Sequence, residues 1–257
     1  MKYGIIELSL VPGRAEASDK SEMVTQLLFG DVFTIVENSN KFVRIRLHYD
    51  NYECWICKKQ YLTINKDEFL KISNSAYHCT TDLVQVISYK NNFLPIVQGS
   101  SLPNYKDQKF TIGSHKTNFQ GNISSPSKVG TKDKIAEDAL MYLNAPYLWG
   151  GKSPFGIDCS GFTQIVYKVN NIVIPRDAHQ QAELGEGYSF IEEAEAGDIA
   201  FFDNEEGKII HVGILIGRNK IIHASGKVRI DMLDHQGIFN KETNSYSHKL
   251  RIIKSIL

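Results

Sequence analysis

An all-β amino-terminal region followed by an α+β domain with an antiparallel sheet is the architecture this sequence predicts. Three observations carry it. Residues 1 to about 64 hold short Val/Ile/Phe/Leu-rich runs separated by Asn, Asp, Gly and Ser, the chemistry of strands and tight turns. Residues from about 131 to 185 place apolar side chains at helical spacing. From "GDIAFF" onward the short apolar runs return, so helices precede a series of consecutive strands.

The 257 residues suffice for two or three modest domains with a real core. Lys plus Arg and Asp plus Glu both number 29. That balance argues against a general nucleic-acid or anionic-membrane binder, which needs a basic excess. No window approaches the ~18 apolar residues of a membrane span. "YGIIELSLVP" lacks the basic start, apolar run and cleavage site of a signal peptide. The expectation is a cytoplasmic monomer without metal or cofactor.

The first region, residues 1–64, contains "KFVRIRL", in which Val43, Ile45 and Leu47 alternate with Phe42, Arg44 and Arg46. That is a half-buried strand, and five or six such runs suggest a small barrel. Its "CWIC" pair has redox-motif spacing, but Cys54 and Cys57 fall within a strand pattern and face opposite ways. Of the four cysteines, Cys54, Cys57 and Cys79 are therefore assigned structural roles. Residues 65–125 repeat the style more loosely, with "SYKNNFL" as a hairpin, and are assigned to a second, divergent barrel. "GNISSPSKVG" reads as a linker, which opens a third domain over 126–257.

In that domain Thr131 caps a helix in which Ile135, Ala139, Tyr142 and Leu143 share a face, and Pro146 stops it. After a Gly/Pro loop a second helix starts at Cys159, with Phe162, Ile165, Val166 and Val169 at helical spacing. Asp177 caps a short third helix ending at Gly185. The strands are "GDIAFF", "HVGILIG", "KIIHAS" and "SHKLRIIKSI".

A cysteine in the first turn of a helix meets unpaired N–H groups and the positive end of the dipole, which favour a thiolate. A Gly-rich loop before it and Gly161 after it leave the thiol accessible. Such a nucleophile wants a base. Among eight histidines, His211 and His223 begin and end one predicted hairpin. A three-residue loop at Gly217 to Asn219 gives an even register that sets His223 opposite Gly213. His211 then lies one step along on the same face, whereas a two-residue loop would part the rings. His211 is assigned as proton acceptor for Cys159 and His223 as the residue orienting it. Gly213 leaves room beside the rings. The other six histidines, including His248, are left to the surface or without a role.

"PYLWGGKSPFGIDCSGF", "IPRDAHQQ", "AGDIAFF", "HVGILIG" and "IIHAS", in this order, resemble the NlpC-type papain-like cell-wall cysteine peptidases. "SEMVTQLLFGD" and "YECWICKKQYL" resemble the SH3-like barrels of one branch of that family. The resemblance implies SH3-like barrels followed by a papain-like domain, with a Cys159–His211–His223 triad. It implies that the Tyr147 hydroxyl and the Cys159 N–H hold the oxyanion. It also implies that Asp158 and Ser160 bind the amino end of the substrate, and that Arg176 and Asp177 line the groove. Relatives often carry serine at the next position, which here is Ala178. The barrel in this branch admits a free N-terminal L-Ala through a carboxylate and a tyrosine, assigned here to Glu22 and Tyr52. The implied activity is hydrolysis of the γ-D-glutamyl to diamino-acid bond of murein peptides. The alternatives are an inert binder of the same peptides, or a thiol amidase or acyltransferase of the same fold.

Overall fold

The computed structural model describes residues 2–124 and 126–257. Met1 and Ser125, the outer limits of the two barrels expected at 1–64 and 65–125, lie outside the described residues. Two compact units emerge, one of Met1–Lys128 with Gly150–Pro154, the other of Val129–Trp149 with Phe155–Leu257.

The first unit begins with β1 (Lys2–Ile5), β2 (Leu10–Arg14), β3 (Met23–Leu28), β4 (Val32–Asn38), β5 (Phe42–Leu47), β6 (Glu53–Cys57) and β7 (Leu62–Ile64). They form one sheet in the order β3-β2-β6-β5-β4-β1-β7, curved into a small barrel. The alternation read in β5 has a physical outcome. Val43, Ile45 and Leu47 are buried in the barrel core, while Arg44 and Arg46 emerge and both pair with Glu53 on β6, each at 2.6 Å. Cys54 is buried and Cys57 less so, both as free thiols, as expected of neighbours three apart on a strand.

The following segment differs from its expectation. Asn65 caps a helix, α1 (Lys66–Ser73), by accepting from the Glu68 N–H at 2.8 Å. Two hairpins follow, β8 (Val84–Tyr89) with β9 (Asn92–Val97), and β10 (Lys109–Ile112) with β11 (His115–Asn118). Ile87, Tyr89, Ile96, Phe110 and Phe119 bury against Ile5, Phe29, Val32 and Ile64 in one shared core. Residues on both sides of the expected boundary at 64 and 65 thus pack as a single unit. β12 (Lys152–Ser153) also belongs to it, where the Lys152 N–H donates to Gln26 Oε1.

In the second unit α2 (Lys132–Leu140) is capped by Thr131, which accepts from the Lys134 N–H. β13 (Gly156–Ile157) leads into α3 (Cys159–Val169), which is buried along its whole length. α4 (Ala178–Gln181) is only one turn long, shorter than expected, and Asp177 at its N-cap makes no side-chain capping bond. The sheet contains β14 (Glu186–Gly187), β15 (Ile199–Asp203), β16 (Ile209–Gly217), β17 (Lys220–Ser225), β18 (Lys227–Leu233), β19 (Gly237–Asn240) and β20 (Ser245–Ser255), in the order β14-β20-β15-β16-β17-β18-β19. β20 also pairs with β19. β18 and β19 were not anticipated. α3 packs on β16 and β17, which brings its first residue to the histidine hairpin. No helix among the described residues is long and apolar enough to cross a membrane.

Candidate active site

Cys159 is the first residue of α3. Asp158 before it adopts the extended conformation of an N-cap and accepts from the Gly161 N–H at 2.7 Å. That cap satisfies one of the free N–H groups of the helix start and leaves the Cys159 N–H available as a donor. Arg176 is buried beneath this turn at 2% exposure. It donates to both carboxylate oxygens of Asp158, at 2.6 and 3.1 Å, and to Ser160 Oγ at 2.7 Å. A bidentate guanidinium pair of this kind fixes direction as well as distance, so the helix start that bears the nucleophile is clamped.

β16 and β17 carry the histidines. Gly213 stands opposite His223 and Leu215 opposite Ile221, the even register the sequence required. The way it arises differs. Gly217 pairs with Lys220, so the turn contains two residues, Arg218 and Asn219. By itself it would place the rings on opposite faces. A bulge between Leu215 and Gly217 supplies the extra residue that restores the register. Asn219 takes the left-handed conformation the turn needs, at φ 57°. Gly213 has no room for a side chain, because a Cβ there would meet His223 Cβ at 2.8 Å.

The result is a direct contact of His211 Nε2 with His223 Nδ1 at 2.8 Å. The nitrogen of His211 left for the thiol is therefore Nδ1. Cys159 Sγ receives the backbone N–H of Val212, the residue that follows His211, which places the sulfur at this point of β16. Two groups that the sequence reading did not use complete the surroundings. His248 on β20, left without a role above, stacks on His211 with centroids 4.0 Å apart and 22° between planes. Asp231 on β18 lies 3.0 Å from His223 Nε2.

Burial decides the charge states. It pushes the Cys159 thiol up to about 11, with the Asp158 carboxylate adding to it; the Val212 N–H, Arg176 and the Ser160 N–H pull the other way. The helix-start argument foresaw a lowered thiol, and here desolvation outweighs the dipole. Burial also holds His211 well below the usual imidazole range, and His223 and His248 add to this. His248 is lowered to about 4 by burial and by His223, against the pull of Asp231. The resting pair is thus a neutral thiol beside a neutral imidazole. Tyr147 is half-buried and its hydroxyl is raised to about 12, by burial first and then by Cys159 and Asp158.

Cys159, His211, His223, Tyr147, Asp158, Ser160 and Arg176 all belong to the second unit, and Asp177 follows Arg176 at the start of α4. Glu22 and Tyr52 belong to the first. Glu22 is exposed just before β3, and Tyr52 packs on the barrel core. The signal for Asp231 was present in "KVRIDML", a short alternating run after a Gly turn.

A thiol at the start of a helix that packs on the strand pair carrying two hydrogen-bonded imidazoles is the arrangement of a papain-like thiol hydrolase. The NlpC/P60 family pattern matches residues 144–247, and the bacterial dipeptidyl-peptidase SH3 domain matches residues 13–60. A γ-D-glutamyl-L-lysine dipeptidyl-peptidase of Bacillus cereus is 29% identical over 235 residues, covering 80% of this chain and 68% of the relative. Its namesake of Bacillus subtilis is 46% identical over 97 residues, covering 37% and 32%. The crystal structure of an NlpC/P60 family protein from Bacillus cereus superposes with a TM-score of 0.82 at 22% identity, over 99% of both chains. Residues 144–247 are thus an NlpC/P60-family cysteine peptidase domain, joined in this chain to an SH3-like barrel domain, and the chain is related to the γ-D-glutamyl-L-lysine dipeptidyl-peptidases.

Proposed function

We propose that this peptidase cleaves the γ-D-glutamyl to diamino-acid bond of murein peptides bearing a free N-terminal L-Ala. The observation that carries the chemistry is the 2.8 Å contact of His211 Nε2 with His223 Nδ1, beside a helix-start thiol. Support for the bond comes from two relatives named for γ-D-glutamyl-L-lysine dipeptides, one of which aligns over 80% of this chain.

In this reading His211 Nδ1 takes the Cys159 proton as sulfur attacks the γ-carbonyl carbon. The Cys159 N–H and the Tyr147 hydroxyl hold the oxyanion. The tetrahedral adduct collapses by breaking the C–N bond, and the leaving amine takes the proton from His211. Water, deprotonated by His211, then attacks the thioester carbonyl, and the sulfur leaves and recovers its proton. Asp158 and Ser160 bind the amino end of the substrate and Asp177 lines the groove, whereas Arg176, expected there too, is buried beneath the helix start and holds Asp158 and Ser160 in place. Glu22 and Tyr52 read the ammonium, because a desolvated cation needs an anionic partner. The setting proposed is recycling of released peptides by a cytoplasmic monomer.

The test is hydrolysis of L-Ala-γ-D-Glu-L-Lys and of its meso-diaminopimelate counterpart, each with a free and an N-acetylated amine. Cleavage of the free-amine peptides, loss of it in Cys159→Ala, and a raised KM for them in Glu22→Gln are the expected results. Equal rates on the acetylated peptides overturn the amine gate, and turnover by Cys159→Ala overturns the nucleophile.

A further inference from the structure

His223 uses only one nitrogen on His211. Its Nε2 lies 3.0 Å from Asp231 Oδ2. On the other side Arg229 Nε donates to the same oxygen at 2.7 Å, and Arg229 Nη2 donates to Oδ1 at 3.0 Å. The placement follows from register. Asp231 faces Ile221 across β17 and β18, and Arg229 faces His223, so both belong to the face that carries the rings.

An ionised carboxylate only accepts hydrogen bonds, while a neutral imidazole donates from one nitrogen and accepts at the other. Burial alone would raise the Asp231 carboxyl, but the hydrogen bonds from His223 and Arg229 hold it below the usual carboxylate range. It is therefore an anion at neutral pH. His223 must then carry its proton on Nε2 and offer a lone pair at Nδ1. His211 must in turn carry its proton on Nε2, which leaves Nδ1 basic and turned to the thiol. With the opposite tautomer of His223, His211 would present an N–H to the sulfur and accept no proton.

We propose that Asp231 is a positioning residue of the reaction: through His223 it sets the tautomer of His211 and stabilises the imidazolium formed when Cys159 is deprotonated. Arg229, which also pairs with Glu242 at 3.1 Å, holds the carboxylate in place. The triad is thereby a line of four, Cys159–His211–His223–Asp231. A pocket of about 220 Å³ lies at its far end, and the charged groups lining it are Lys220, Arg229, Asp231, Lys241 and Glu242. Among the described residues, the ionisable groups set against Asp231 and His223 are His211, His248 and Arg229, with Glu242 behind Arg229. The inference rests on the hydrolytic reading of Cys159 and His211.

Asp231→Asn keeps the shape and removes the charge. Its kcat/KM should fall about 10- to 100-fold, the range for one hydrogen bond to a charged partner, with KM changed less than about twofold. The acid limb of kcat/KM should move to lower pH, because the imidazolium loses its anion. Arg229→Gln retains the carboxylate and should lose much less. Nitrogen NMR of histidine-labelled protein should show Nε2 protonated on both rings in the wild type, with His211 reversed in Asp231→Asn. Unchanged kinetics in Asp231→Asn, or equal losses in both variants with an unmoved pH limb, would overturn the proposal. Should Asp231→Asn fail to fold, the wild-type spectrum decides: a His223 protonated on Nδ1 overturns it. That spectrum does not depend on turnover, whereas continued activity of Cys159→Ala would instead remove the hydrolytic reading on which it rests.

Discussion

Arg176 should not tolerate a neutral replacement. It is 2% exposed and joined to Asp158 by two bonds of 2.6 and 3.1 Å. Arg176→Met keeps much of the stem volume and removes the cation. Asp158 keeps the Gly161 N–H but remains as a buried carboxylate without this opposing charge. Removing one member of a buried pair costs about 3–5 kcal/mol, a large share of a folding stability of about 5–15 kcal/mol. Adding Asp158→Asn removes the stranded charge, and asparagine caps a helix about as well as aspartate. The double variant should therefore recover about half or more of the loss, as expected of directly coupled sites. Urea unfolding followed by circular dichroism gives each midpoint, and a common slope converts the shifts to free energies. If Arg176→Met costs less than about 1 kcal/mol, the level of an exposed pair, or if the double variant is no better than the single, the clamp does not hold the nucleophile helix.

Three other outcomes follow from the same geometry. Alkylation of Cys159 by iodoacetamide should keep accelerating through pH 9 towards the raised value of about 11; a plateau near pH 7 would mean a resting thiolate. In Gly213→Ala the added Cβ would meet His223 Cβ at 2.8 Å and Ile221 Cδ1 at 2.7 Å. kcat should fall by about tenfold or more, because misplacement by a fraction of an ångström is enough, and an unaffected kcat would show that the hairpin yields. His248→Ala opens the face of His211 to water and lessens the burial that depresses it. Neutral His211 is the working base, so the acid limb of kcat/KM should move to higher pH, whereas His248→Phe, which keeps the face covered, should not move it that way.

Features set by local spacing were legible in the sequence. Asp158 before Cys159, with Phe162, Ile165, Val166 and Val169 behind it, marks a helix start wherever the chain folds. His211, Gly213 and His223 could be placed on one face only on the condition of a three-residue loop; the turn has two residues, and a bulge that local spacing did not announce restores the register. What escaped depends on distant packing. β18 alternates in sequence, but its burial does not follow that alternation: Val228 is buried on one face and Asp231 and Leu233 on the other, so the run does not announce that Asp231 is the buried polar residue. His248 sits at the polar start of the strand read at "SHKLRIIKSI", where nothing local names a partner, and only the pairing of β20 within the sheet brings its ring over His211. α1 had its signal in Asn65 and the acidic pair Asp67 and Glu68, but the β-rich surroundings led residues 65–125 to be assigned whole to a second barrel.

The charge state of the nucleophile shows why a local motif can name a residue and still misjudge its chemistry. A helix start lowers a thiol through the few N–H groups of one turn, and this part is legible. Desolvation acts through every atom that replaces water. Cys159 is 8% exposed and His211 5%, a consequence of α3 packing on β16 and β17, and both burials favour the uncharged form. Proton transfer from thiol to imidazole is therefore uphill at rest, and the groups that favour the charged pair are the Val212 and Ser160 N–H donors and Arg176 at the sulfur, with the Asp231 carboxylate behind the rings. These lie on both sides of the pair, so the substitutions should separate. Arg176→Met should slow alkylation of Cys159, while Asp231→Asn should move the acid limb of hydrolysis. If either variant moved both quantities together, the sulfur and ring sides would not act independently, and the polarising groups could not be divided between them.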